Sequence, residues 1–181
     1  VQTCALPILT NNKQKECDLN LIYPNYDLVR EQVKKVREKN YIYSAPVNAK
    51  EIAQREGLQV FFAKFGEKFK EINGFIDFDE KVMIVNSERK PYVQNFTIAH
   101  ELGHWLLHKD RRDEYELKLS RPNGGEDDPM EKEANTFAAE LLVPFKELLE
   151  YKKKGVSNKE LAKMFFVSER VIEHRLENCI G

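Results

Sequence analysis

Three of the four histidines of this chain fall within nine residues, in the run Phe96-Thr97-Ile98-Ala99-His100-Glu101-Leu102-Gly103-His104-Trp105-Leu106-Leu107-His108. Residues four apart stand on the same face of an α-helix. His100 and His104 can therefore aim two imidazoles at one cation, and Glu101 can reach a water molecule beside it. The H-E-x-x-H spacing suits a zinc-dependent hydrolase.

Catalytic zinc commonly takes three protein ligands and keeps a position open. A third histidine in the pattern H-E-x-x-H-x-x-G-x-x-H is ruled out, because Leu107 stands where the glycine would be and Asp110 where the histidine would be. A carboxylate on the next helix is the other route, and Glu131, Glu133 and Glu140 are the candidates. At about 100° per residue, Asn135, Ala138 and Leu142 lie within about 40° of Glu131, on a face of small and apolar residues. Glu133 and Glu140 fall about 180–200° away, on the side expected to face water. Glu131 is the expected ligand, with Glu133 as runner-up should the helix phase slip by one residue. Asn135, one turn beyond Glu131, is placed to orient a ligating histidine through its other ring nitrogen. Ala138 and Ala139 would let the histidine helix come close.

With zinc held by His100, His104 and Glu131, the expected reaction is hydrolysis of a peptide bond. The metal polarises the carbonyl and acidifies water, and Glu101 takes the proton and passes it to the leaving amine. Tyr92, Tyr115 and His108 are candidates to stabilise the oxyanion. His108, one turn beyond His104, reads as a hydrogen-bonded supporting residue rather than a ligand. Manganese or iron also accept an N,N,O donor set.

The elements that must position these groups follow from periodicity and caps. Asp27 is expected to cap a helix to about Lys39 on Leu28, Val29, Val33 and Val36. Pro46 or Asn48 opens a second helix that Gly57 stops, with Ile52 and Ala53 inward. Leu58 to Ala63 reads as a strand, with Phe61 and Phe62 in the core. Ile72 to Phe78 and Lys81 to Asn86 form a hairpin through Asp79-Glu80. The histidine helix spans about Tyr92 to His108, with Trp105 as a core residue. Lys109 to Pro129 reads as a mobile surface loop, and Met130 to Val143 as the carboxylate helix. Helices follow over Phe145 to Lys154, Asn158 to Phe165 and Ser168 to Asn178. Lys152 to Lys154 reads as a solvated helix end, and His174 as exposed.

The 181 residues are 41% hydrophobic and 33% charged, with a net charge of −1, which suits a folded domain and removes any global basic field for nucleic acid. No apolar stretch reaches the ~20 residues of a membrane helix. No basic lead precedes a sustained apolar region, and Cys4, Cys17 and Cys179 suggest neither a disulfide framework nor a metal site. A cytoplasmic location is expected. The opening octapeptide, Val1 to Ile8, reads as a foreign scar fused to a truncated reading frame.

The block Phe96 to His104 followed by Leu106-Leu107-His108 resembles the ImmA/IrrE family of zinc metallopeptidases. So does Glu131-Lys132-Glu133-Ala134-Asn135-Thr136-Phe137-Ala138-Ala139-Glu140-Leu141-Leu142-Val143-Pro144. Leu161 to Phe165, Val167-Ser168 and Arg175-Leu176 extend the likeness. The resemblance implies His100, His104 and Glu131 as zinc ligands and Glu101 as the catalytic carboxylate. It also implies a gluzincin-like core and cleavage of helix-turn-helix repressors, with some members beside toxin–antitoxin genes. Members often carry arginines just before this block, where this chain has Val93-Gln94-Asn95.

The expected fold class is α+β: a mostly helical, zincin-like core with a small antiparallel sheet and a C-terminal helix-turn-helix-like segment. Residues 1–26 are expected as an artefactual or flexible lead, 27–154 as the metallopeptidase domain and 155–181 as an extension packed on it. Glu169, Glu173 and Glu177 against Arg170 and Arg175 give that extension no basic surplus, so DNA binding is not expected. The alternative function is a non-catalytic regulator or toxin–antitoxin partner that binds protein or DNA through the same fold.

Overall fold

The computed structural model describes residues 23–119 and 128–177, with the side chains of 116–119 left aside. The octapeptide and most of the expected lead lie outside the described residues, as do residues 120–127 of the expected loop. The elements run α1 (Tyr26–Lys39), α2 (Ala49–Arg55), β1 (Gln59–Ala63), β2 (Gly74–Asp77), β3 (Val82–Asn86), α3 (Pro91–Leu107), α4 (Arg112–Leu119), α5 (Pro129–Leu142), α6 (Phe145–Lys153), α7 (Asn158–Phe165) and α8 (Glu169–Glu177), with 3-10 turns at Glu67–Phe69 and Lys109–Arg111. Helices around one small sheet make this an α+β fold.

Local chemistry sets several boundaries. Asn25, not Asp27, caps α1: its side-chain oxygen accepts from the Leu28 N–H at 3.0 Å. Val29, Val33 and Val36 are buried, but Leu28 is 45% exposed and does not belong to the inner stripe. Asn48 caps α2, and Gly57 follows its end with φ +88°, a left-handed turn that glycine adopts without strain. Asn95 ties α2 to α3: its side chain accepts from the Ala49 N–H and donates to the Val47 carbonyl, both at 3.0 Å. Gln94, beside it, donates to the carbonyls of Ser87 and Arg89 at 3.1 and 2.9 Å. In this chain the positions before the histidine block hold the fold together.

The sheet is mixed, not antiparallel. β2 and β3 pair antiparallel, Phe75 opposite Ile84, while β1 lies parallel on the other edge of β3, Phe61 opposite Ile84. The hairpin turn dictates the first pairing, but no turn links β1 directly to its neighbour, so local pattern left its direction open. Val60, Ile76, Met83 and Val85 are buried. Phe61 and Phe62 are 52% and 41% exposed, because β1 is an edge strand, and the Lys50 ammonium lies 5.1 Å from the Phe62 ring. They are not core residues.

Helix α3 packs against β2 and β3, against α2, and most extensively against α5. Residues 109–119 are not a loop: they form the second 3-10 turn and α4, and Tyr115 is buried against Phe78, which in turn stacks on Trp105. The Lys109 ammonium lies over the Trp105 ring. At the other end of the chain, Leu148, Leu161, Phe165, Val167 and Ile172 join the same hydrophobic cluster as the helices of the site. A capping box between Ser157 and Glu160 starts α7, and Phe166 closes it in the left-handed conformation. The Arg175 guanidinium on α8 donates to the Val143 carbonyl at 3.1 Å and pairs with Glu140 on α5 at 2.6 Å. Glu140 thus serves an inter-helix ion pair rather than facing water.

Gly74 controls how closely the sheet lies on α3. A Cβ there would sit 2.7 Å from Thr97 Cγ2 and 2.9 Å from the Ile84 carbonyl oxygen. Gly74→Ala should destabilise the chain by about 1–3 kcal/mol, the usual range for overpacking, read as a lower urea midpoint at unchanged slope.

Candidate metal centre

The histidines occupy the middle and last turns of α3, and the carboxylate the first turn of α5. The two helices cross where Gly103 meets Ala134 and Phe137: a Cβ on Gly103 would stand 3.2 Å from Ala134 Cα and from Phe137 Cβ. Small residues permit this close approach at Gly103 and Ala134. It brings the ring nitrogens of α3 to the acidic start of α5.

His100 Nε2 and His104 Nε2 are 3.1 Å apart. Glu131 presents Oε2 to His100 at 3.2 Å and Oε1 to His104 at 3.3 Å. Among the described residues these three form a cluster whose ligand atoms all lie within 4.8 Å of one another. Bonds of about 2.0–2.1 Å to zinc give tetrahedral edges of about 3.3–3.4 Å, so the donor triangle fits a small tetrahedral cation with one corner free. His104 is fully buried, while the His100 and Glu131 side chains keep 16% and 28% exposure, which leaves the triangle open on one side.

Each of these groups has further support. His100 Nδ1 lies 3.1 Å from Asn135 Oδ1. His104 Nδ1 lies 3.0 Å from His108 Nδ1, and His108 Nε2 lies 2.7 Å from Glu133 Oε2. The Asn25 N–H donates to Glu133 Oε1 at 2.6 Å. Glu133, expected on the water side or as a substitute ligand, is neither: it is 5% exposed and is bound to His108. The buried arc of α5 is centred on Ala134, Phe137 and Leu141, because α1 covers the helix as well as α3. Glu131 and Glu133 therefore sit at opposite rims of that arc. A single-face helix reading had no means of seeing the second neighbour.

Glu101 is buried beneath the triangle, and the Tyr115 hydroxyl donates to its Oε2 at 2.8 Å while accepting from the Ile76 N–H at 3.1 Å. Tyr115 and His108, both candidates for an oxyanion, are thus engaged elsewhere. Tyr92 stands two turns before His100, with the Lys90 ammonium 5.9 Å from its ring. The Tyr115–Glu101 contact joins two successive helices, 14 residues apart across the second 3-10 turn, and had no local signal.

The charges are tuned by the same contacts. Burial pushes His104 down to about 4, against the pull of Glu131, so its ring is neutral. Burial also opposes charge on His100, but the Glu131 hydrogen bond and the Glu101 and Glu131 charges outweigh it and raise the group above its ordinary value. Burial would raise Glu131, yet the two histidines beside it hold it well below the usual carboxylate range. Glu101 is pushed up by burial, more than His100 and Tyr115 pull it down. Tyr115 is raised well above its ordinary value, by burial first and then by Glu101, and stays a phenol donor.

The fold and this donor set define a helix-borne two-histidine, one-carboxylate candidate centre of the metallopeptidase type. Residues 53–177 match the Peptidase M78 family, described as the IrrE N-terminal-like domain, and the chain belongs to this ImmA/IrrE family. It is 31% identical over 109 residues to the metallopeptidase ImmA of Bacillus subtilis (strain 168), covering 58% of this chain and 62% of that protein. It is 33% identical over 96 residues to the uncharacterized immunity region protein 2 of Bacillus phage phi105, covering 52% of this chain and 59% of the relative. A solved Mycobacterium tuberculosis transcriptional regulator shares the fold, with a TM-score of 0.60 at 18% identity, over 85% of this chain and 47% of that one. The chain thus spans about six-tenths of those curated relatives and under half of the regulator. Among the described residues no helix is long and apolar enough to cross a membrane.

Tyr115→Phe strands the Ile76 N–H and one oxygen of Glu101 in a buried setting. It should cost about 1–3 kcal/mol of stability, measured by urea unfolding of the metal-free protein.

Proposed function

We propose that the chain is a cytoplasmic zinc-dependent endopeptidase whose substrate is a regulatory protein, a helix-turn-helix transcriptional repressor. The observation that carries this reading is the triangle of His100, His104 and Glu131 with edges of 3.1–3.3 Å beside a buried Glu101. Family membership and the likeness to a protein named as a metallopeptidase support the reaction class. The likeness to a phage immunity-region protein supports a repressor as the target.

In this reading His100, His104 and Glu131 would hold the ion. When bound, zinc polarises a substrate carbonyl and makes water acidic near neutral pH. Glu101 accepts the proton of the attacking water on Oε1, the oxygen that Tyr115 does not occupy. The water oxygen bonds to the carbonyl carbon, the C–N bond breaks, and the proton held by Glu101 passes to the departing amine nitrogen. Asn135 orients His100. The raised affinity of buried Glu101 for a proton suits a group that must take one and give it back.

The full chain should bind one zinc per molecule by elemental analysis, and Glu131→Ala should abolish that stoichiometric binding. Glu131→Ala that keeps one tightly held zinc removes Glu131 from the ligand set. With the repressor encoded beside its gene as substrate, Glu101→Gln should keep the zinc and lower cleavage by about 10²–10⁴-fold, the range for a general base. Cleavage at the wild-type rate by that variant rules out the assigned base. Relief of repression with no cleaved product favours the non-catalytic regulator instead.

A further inference from the structure

We infer that His108 and Glu133 are positioning residues that fix the tautomer of His104 through a buried chain of hydrogen bonds ending on the backbone of Asn25. This rests on the metal-centre reading above for its consequence, but its core is the hydrogen-bond order itself. His104 has both ring nitrogens engaged: Nε2 faces His100 and Glu131, and Nδ1 faces His108 Nδ1 at 3.0 Å. Two nitrogens at that distance share one hydrogen, so one ring donates and the other accepts. At the far end Glu133 is fed by two donors, His108 Nε2 at 2.7 Å and the Asn25 N–H at 2.6 Å. The Asn25 amide can only donate, which leaves the carboxylate as acceptor on that side. As a carboxylate Glu133 has no hydrogen to give, so His108 Nε2 carries the hydrogen toward it, and a neutral ring so protonated has its lone pair on Nδ1.

With Glu133 as a carboxylate and both rings neutral, one arrangement satisfies every link from His104 Nδ1 to the Asn25 N–H. His104 Nδ1–H donates to His108 Nδ1, His108 Nε2–H donates to Glu133 Oε2, and the Asn25 N–H donates to Glu133 Oε1. It leaves the lone pair of His104 on Nε2, the atom aimed into the donor triangle. A ligating histidine whose far nitrogen donates to a carboxylate is oriented and made more basic by it. Here a second imidazole is inserted between ligand and carboxylate, so the charge of Glu133 acts from one residue further away. His104 is fully buried, and His108 and Glu133 are 2% and 5% exposed, so solvent does not supply the missing partner. The chain also spans three elements. His104 lies on α3 with His108 as its C-cap, Glu133 lies on α5, and Asn25 is the N-cap of α1, upstream of the stretch that matches the family.

Long-range ¹⁵N–¹H NMR on the full, metal-free chain reads the protonated nitrogen of each ring. The expected result is hydrogen on Nε2 of His108 and on Nδ1 of His104, and any other pattern overturns the proposal whether or not the protein binds zinc. Chelator competition with zinc then tests the consequence. His108→Phe and Glu133→Gln should each weaken zinc binding by about 10–100-fold, the usual range for an orienting partner. His108→Gln, whose amide oxygen can still accept from His104 Nδ1–H, should recover most of that loss. A His108→Gln variant as weak as His108→Phe, with both folded by circular dichroism, shows that packing rather than hydrogen-bond order is at work and overturns the assignment. Failure of the wild type to bind zinc at all, with the expected tautomers present, strikes the metal-centre reading and leaves the relay standing.

Discussion

Where α3 crosses α5, Gly103 lays its backbone against Ala134 and Phe137, and a Cβ there would stand 3.2 Å from Ala134 Cα and Phe137 Cβ. That contact sets the distance between the two helices, and with it the distance from the imidazoles of His100 and His104 to the carboxylate of Glu131. A wider crossing would leave the histidines paired only with each other. The sheet enforces the crossing from the far side, since Gly74 lets β2 lie almost on Thr97, one turn before His100 on α3.

A second constraint comes from burial. Glu101, His104, His108 and Glu133 are removed from water in a small volume between helices, and such groups are costly unless partnered. Several partners come from other elements. Tyr115 of α4 serves Glu101, Glu133 of α5 serves His108, and the Asn25 amide at the start of α1 serves Glu133. The polar cluster therefore holds the hydrophobic elements in one arrangement, and that arrangement holds the cluster's donors and acceptors in place. Preorganisation of this kind is what a metal or a proton-transferring carboxylate requires.

Much of the architecture was legible along the chain. The periodicity of α1, the Asn48 cap, the hairpin from Gly74 to Asn86, the histidine helix and the three short C-terminal helices follow from spacing, caps and turn residues that act within a few positions. The pairing of Glu131 with Asn135 on one rim of α5 follows from helix phase. Apart from the Asp27 cap and Leu28 on α1, the readings that failed are non-local. The parallel placement of β1 depends on which edge of β3 was free. The exposure of Phe61 and Phe62 depends on how β1 sits at the edge of the sheet among the described residues. The charged stretch after His108 looked like a loop by composition, yet Tyr115 anchors it as a helix over Phe78.

The sequence by itself put His100 and His104 on one face of a helix, because i and i+4 spacing on a helix is a property of the backbone and needs no knowledge of neighbours. It also placed the start of α7 at Asn158, since the Ser157 cap is satisfied within one turn, though not that of α1, which Asn25 caps in place of Asp27. Only the tertiary structure decided what Glu133 and Tyr115 do. Their partners lie 108 and 25 residues away for Glu133, and 14 and 39 residues away for Tyr115. Contacts at those separations exist only once separate helices and the sheet have packed, and no local pattern encodes which buried group will face which.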